Sequence, residues 1–304
     1  MSTLPPMVAH DLDALKGVPL IRRRRLGRGL AGSAILALAA WLVVGAIQNE
    51  SFGWDVIGRY FLNAEILQGL GLTLWLTALV AVLGFALGIP LALMRLSGNP
   101  VLQATSAAYV WFFRSVPLLV QLLFWYNIGY LVPVITLKIP FGPTLLTVAS
   151  RDLVSALTAA IIGLTCHEAA YAAEIVRGGL NSVGRGVIEA AQVLGLPRGT
   201  IFWRVVLPQA LPSIIPGAGN LVVGTLKGTS IVSVIAVSDL LYSAQLIYNQ
   251  NYQIVPLLMV ATLWYVVATS ALSLVQRFLE RRYAAGGAPG SVRTRIRSSL
   301  GADT

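Results

Sequence analysis

Residues 69–94 read GLGLTLWLTALVAVLGFALGIPLALM, a run without one acidic or basic side chain. An α-helix rises about 1.5 Å per residue and the hydrocarbon of a bilayer is about 30 Å thick, so roughly 20 apolar residues suffice to cross it. Such a run satisfies its backbone hydrogen bonds within the helix and gives its side chains to lipid. Its reading decides the fold class, because five further runs share its character: Leu30–Ile47, Phe113–Val132, Leu153–Val176, Ser213–Val237 and Val255–Val275. The expectation is an all-α membrane protein with about six transmembrane helices. Composition agrees: only 11% of residues are charged and 56% are hydrophobic, whereas a soluble domain carries about 25% charged residues.

The formal net charge is +10. In a soluble protein that surplus would point to nucleic acid. Here the basic residues flank apolar runs, so the expected partner is the negative face of a lipid bilayer, and no nucleic acid. With the N-terminus in the cytosol, six crossings put 18 of the 22 lysines and arginines on the cytosolic side, leave Arg59, Lys138 and Arg151 outside, and place Lys227 within a span. Both termini are therefore expected to be cytosolic in a multi-pass inner (plasma) membrane protein. The first run follows Arg22–Arg25 and Arg28 as a signal peptide core would. It is longer than such a core and is read as a retained helix. The expected organisation is a basic arm at 1–29, an extra helix and outer loop at 30–66, a core at 67–276, and a basic tail at 277–304. The lone Cys166 makes no internal disulfide, and with two histidines it offers a poor metal site. No cofactor is expected in this chain.

The cytosolic segment at 177–212 is too structured for a plain connector. It reads as two short helices, the first capped by Asn181 or Ser182 and the second by Thr200. Gly195, Pro197 and Gly199 break the chain between them, and Pro208 and Pro212 lead into the fifth span. A helix–break–helix on a membrane face fits a groove on a soluble partner. Ala190 and Ala191 permit close approach, Gly195 permits a turn with positive φ, and Glu189 can accept a charged hydrogen bond.

The spacing runs Glu189-Ala190-Ala191, three residues, Gly195, nine residues, then Val205-Val206-Leu207-Pro208. This resembles the EAA loop of type I ATP-binding cassette (ABC) importer permeases, with Val205 in place of the usual isoleucine. Ala173 to Gly179, Leu226 to Ile235, and Phe113-Arg114-Ser115-Val116-Pro117-Leu118-Leu119-Val120-Gln121 are similar to the polar amino acid branch of that family. The resemblance covers roughly Leu67 to Gln276. It implies a type I importer permease bundle that translocates polar amino acids, driven by a separate ATPase subunit that binds the ATP. That ATPase would dock on Glu189, Ala190, Ala191, Gly195, Leu207 and Pro208. It further implies a periplasmic or extracellular amino acid-binding protein, and a homodimer or a heterodimer with a similar permease. The chain departs from the branch at His167-Glu168-Ala169-Ala170-Tyr171, where an Asn-Glu-Gly-Ala-Tyr-like run is usual, at Gly228, and in its additional first span.

Charges inside spans need a partner or water, since each costs roughly 2.5–3.5 kcal/mol at the bilayer centre on insertion scales. Glu168 and Glu174 lie six residues apart, about 120° around one helix, so they form no dyad. Glu174 lies near the cytosolic end, where it either reaches headgroup water or pairs with Arg177 or Arg114. Lys227 accompanies Gly217, Gly219, Gly224 and Gly228. Two readings of Glu168 and Lys227 stand side by side: contacts for the amino and carboxylate groups of a passing amino acid, or a buried structural ion pair. The run from His167 to Tyr171 lacks the second histidine of a zinc protease motif, and Gly224 to Ser230 lacks the order of a phosphate-binding loop. An ion-coupled secondary amino acid carrier would bring an inverted repeat and several buried carboxylates. A membrane-bound enzyme would bring a catalytic cluster. The sequence carries neither.

Overall fold

The computed structural model describes residues 26–138, 144–149 and 154–284. Residues 1–25 of the basic arm and 285–304 of the tail lie outside this set. The chain separates into two compact units, Met1–Phe52 and Gly53–Thr304. The first holds helix α1 (Leu26–Gln48), the expected extra helix, and a short 3-10 turn at Glu50–Phe52. The division between the two units falls at 52/53. Residues 53–66 belong with the core because Ile57 and Ile66 are buried in its apolar cluster. Phe61 stacks on Trp264 at 4.7 Å, and the Trp264 indole donates to the Phe61 carbonyl at 2.8 Å.

In the second unit, α2 (Trp54–Tyr60) leads to α3 (Ala64–Leu96). The Asn63 side chain caps α3 by accepting from the Glu65 N–H at 2.8 Å, and Ser97 closes it with its hydroxyl on the Met94 carbonyl at 2.8 Å. At 33 residues α3 is about 50 Å long and has turns to spare beyond the hydrocarbon. Helix α4 (Pro100–Ser115) starts at Asn99, whose side chain accepts from the Val101 N–H. Helix α5 (Leu118–Tyr126) leaves α4 at an angle of 100°. The span expected at Phe113–Val132 is therefore not one helix. Pro117 has no N–H and pushes the preceding residue out of the α region, and Val116 is extended at φ −90°, ψ 130°. The short α6 (Ile128–Leu131) precedes an antiparallel hairpin, β1 (Val134–Lys138) with β2 (Thr144–Ala149), in which Val134 faces Ala149. The sequence reading did not anticipate this hairpin, which sits in a connection between helices.

Helix α7 (Ala156–Asn181) is capped by Ser155, whose hydroxyl accepts from the Thr158 N–H. Leu153, where this span was expected to begin, lies outside the described residues. Then come α8 (Arg185–Val193), α9 (Arg198–Ile201), a π-turn at Phe202–Val206, α10 (Leu207–Gly228), a 3-10 stretch at Thr229–Ile235, α11 (Leu240–Asn251) and α12 (Ile254–Ala284). Among the described residues four helices are long and apolar enough to cross a membrane unaided: α3, α7, the continuous run 198–235, and α12. Counting each of two bent pairs as one crossing brings the total to six.

Helix α7 is the axis of the core. A methyl added at Gly88 would meet Ala172 Cβ at 2.7 Å and the Ala169 carbonyl at 2.9 Å, and one at Gly84 would meet Glu168 Cβ at 2.9 Å. Two glycines four apart on α3 thus let its backbone lie against the alanine face of α7, as small residues do where helices pack in lipid. The other flank of α7 receives α10, where Ile214 fills the space over Gly179. Helix α11, which the sequence reading missed, is pinned by a buried polar knot. Asp239 accepts from the Tyr242 N–H at 2.9 Å and from the Tyr265 hydroxyl at 3.2 Å, and the Leu240 N–H donates to Thr73 Oγ1 at 3.0 Å.

Candidate functional site

The candidate docking loop is built by one helix and its terminator. Helix α8 starts at Gly184 without a side-chain cap. The caps expected at Asn181 and Ser182 serve α7 instead, where Asn181 is the last helical residue and the Ser182 hydroxyl bonds the Gly179 carbonyl at 2.7 Å. Ile188 packs on the apolar cluster formed by Val176, Leu180, Val183 and Ile214. Anchored this way, α8 buries Ala191 and exposes Glu189 and Ala190. Its end has a defined geometry. The Gly195 N–H bonds the Gln192 carbonyl at 2.9 Å and the Leu196 N–H reaches back to Ala191 at 3.3 Å. Gly195 has φ +70° with nothing near its would-be side chain. Both bonds and the left-handed residue together make a Schellman motif, which explains why glycine stands here and proline two positions later. The turn leaves Val193 88% and Leu194 77% exposed, with Trp203 67% exposed in the segment that follows. These three side chains were missed by the sequence reading, although two apolar residues beside a helix-ending glycine were a visible signal.

The second loop helix is not separate. Pro197, not Thr200, occupies the start of α9, and α9 runs through the π-turn into α10. In the π-turn the Leu207 N–H bonds the Phe202 carbonyl, five residues back. That wider turn admits Pro208, which has no N–H to offer the fourth carbonyl back. Pro208 and Pro212 are thus inside the helix, as is Pro216. Leu207 is half-buried and Pro208 exposed.

The candidate path residues are not brought together. Glu168 is 7% exposed. It lies in a crevice between α3, α7 and α10, walled by Gly84, Phe85, Leu221 and Thr225, that is too tight for a water molecule. Its Oε2 has no hydrogen-bond partner. Lys227 is exposed near the end of α10, two positions and so about 200° around the helix from Thr225. Among the described residues, the ion pair that forms on α7 is Arg177 with Glu174, at 2.7 and 3.2 Å. The structural-pair reading of Glu168 with Lys227 does not hold in this conformation.

The run from Phe113 to Gln121 has a clear structural meaning. The break at Pro117 leaves carbonyls without helical donors, and Gln121 Nε2 serves Phe113 at 2.9 Å and Val116 at 2.8 Å. The same amide contacts His167 Nδ1 at 3.3 Å, and the Arg114 guanidinium lies 5.2 Å over the Tyr171 ring. His167 and Tyr171, two places in the departing run, thus brace the broken helix.

Known proteins match this arrangement. Residues 84–285 match the family model described as binding-protein-dependent transport system inner membrane component. The chain is 41% identical to the arginine transport system permease protein ArgU of Corynebacterium glutamicum, over 86% of this chain and 82% of that one. It is 34% identical to the L-cystine transport system permease protein TcyL of Bacillus subtilis, over 72% and 87%. Among solved structures, an amino acid ABC transporter with histidines superposes with a TM-score of 0.62 at 32% identity, covering 72% of this chain and 94% of that one. The inward-facing MetNI methionine ABC transporter, at 20% identity and a TM-score of 0.60, shares the fold. With the family model covering most of the chain and relatives above 30% identity spanning most of their own length, this chain belongs to the family of binding-protein-dependent transport system inner membrane components, the membrane-spanning permease subunits of ABC importers.

Proposed function

We propose that this permease carries polar amino acids inward, as one of two permease chains around a shared path. Both termini and the α8 turn face the cytosol. A separate ATPase binds the nucleotide and docks on α8, and an external binding protein delivers the cargo. The observation that carries the docking role is the Schellman turn at Gly195, which holds exposed Val193 and Leu194 beside exposed Glu189 and Ala190. Exposed apolar side chains in a charged, polar-rimmed setting are the mark of a protein contact. One such surface per chain and a two-site ATPase call for two chains. ArgU and TcyL, named for arginine and L-cystine transport, support an amino acid as cargo. Lys227, exposed near the end of α10, would face the path between the two chains and meet the cargo carboxylate. Glu168 joins the path only if α3 and α10 part. The test is uptake of labelled amino acids by a deletion strain and its complemented parent, with and without ATP depletion. Uptake that survives ATP depletion but collapses with the proton gradient would replace this reading with an ion-coupled carrier.

A further inference from the structure

At the Glu65 end of α3 a cavity of about 340 Å³ opens between α3 and α11. Its size falls within the roughly 300–1,000 Å³ typical of small-molecule sites. Glu65, Gln68 and Leu72 line it from one face of α3, and Ser238, Ser243 and Leu246 line it from the start and flank of α11. Gly69 keeps its floor open, because a side chain there would run into the Ser243 hydroxyl and the Asp239 carbonyl. Ser243, 6% exposed, contributes a hydroxyl-bearing side chain to the cavity wall. The Glu65 carboxylate likewise has no ion-pair partner among them, and no lysine or arginine lines the cavity. One free carboxylate, one amide oxygen and two hydroxyls are an acceptor set, and the two leucines offer an apolar wall for a hydrocarbon stem. That combination fits an ammonium or guanidinium on an aliphatic chain.

We propose that this cavity is an entry subsite for the cationic side chain of a free arginine- or lysine-like amino acid. It is reached from outside before the cargo enters the membrane. The proposal rests on the import direction and orientation given above. It assigns Glu65 as the charge contact, with Ser243 and Ser238 completing the donor's partners.

The test uses cells expressing the whole transporter with Cys166→Ser and Ser238→Cys, labelled by a membrane-impermeant thiol reagent. Ser238 is exposed, so the new thiol should react from outside. Millimolar arginine or lysine should slow labelling about five-fold, as occupancy linkage predicts for a site near saturation. Glutamate at equal ionic strength should not slow it, and Glu65→Gln should abolish the protection. Leu246→Cys, also exposed on the cavity wall, gives a second labelling position should Ser238→Cys lower abundance. Protection that is absent, shared by glutamate, retained in Glu65→Gln, or given only by the binding protein would overturn the subsite. ATP-driven uptake by the unaltered chain is measured beside it. Uptake without protection removes the subsite and leaves the importer reading, and protection without uptake does the reverse.

Discussion

The tripeptide Glu-Ala-Ala occurs twice in this chain, at 168–170 and at 189–191, and its two copies live in opposite surroundings. In α7, Ala169 and Ala170 are fully buried and Glu168 nearly so, with α3 pressed against them at Gly84 and Gly88. In α8, Glu189 and Ala190 are exposed and only Ala191 turns inward. Small residues let another backbone approach closely. In α7 the approaching backbone is in the same chain. In α8 it is absent among the described residues, which is the reason to propose it in a partner. The same letters mean core packing where a glycine-bearing helix faces them, and an exposed face, here proposed as the docking surface, where none of the described residues does.

The largest expected effect tests the first copy. Gly88→Leu should force α3 off α7, since even a methyl meets Ala172 at 2.7 Å. Overpacking of this kind costs about 1–3 kcal/mol or more. The chain should nearly vanish from membranes on immunoblots; normal abundance would mean that the close approach is dispensable. Gly195→Pro tests the second copy. Proline fixes φ near −65° where the turn needs +70°, and removes the N–H that holds Gln192. Abundance should stay within about two-fold, because insertion rests on the apolar runs. ATPase stimulation by loaded binding protein should fall at least about ten-fold, a loss worth roughly 1.4 kcal/mol of coupling. Full stimulation would remove the docking surface from α8.

A direct swap sharpens the comparison. Ala170→Leu and Ala190→Leu make the same change in the two contexts. The first should lower the melting temperature of the detergent-purified chain, and the second should leave it unmoved while weakening a pull-down of the ATPase several-fold. Equal effects on both readouts would erase the distinction. Smaller still is Gln121→Leu. It strands the carbonyls of Phe113 and Val116 at the helix break, where each unsatisfied group costs about 1–3 kcal/mol before water reaches it. A melting temperature a few degrees lower with uptake retained is expected; an unchanged value would show that water serves those carbonyls.

What was legible in the sequence follows from what acts locally. Apolar length named the spans, and the glycine after an Ala-rich helix named the left-handed turn at Gly195, because helix insertion and a left-handed terminator depend on neighbours in the chain. The break at Pro117 was equally legible, since Val116 before proline is pushed to extended backbone. The span was nevertheless drawn through it, by following hydropathy alone. Helix α11 has a local start signal in Asp239, which accepts from the Tyr242 N–H, but the long-range bonds of Thr73 to Leu240 and Tyr265 to Asp239 that tie it to two other helices are not written in its own segment. The continuity of α9 with α10 was hidden by Pro208 and Pro212, which read as breakers until a π-turn makes room for them. The disposition of Glu168 and Lys227 depends on helix rotation, which a central glutamate does not encode.

The three prolines of α10 have a mechanical consequence. Pro208, Pro212 and Pro216 stand four apart, so they lie along one side of the helix. Each withholds the tie that would clasp the carbonyl one turn below it. A rod with a row of ties removed along one side keeps its stiffness against thrust but yields to bending in one plane. Because residues 198–235 form one continuous run, a push applied near Trp203 by a docked partner, as proposed above, would travel up it without a break and leave as a tilt of fixed direction.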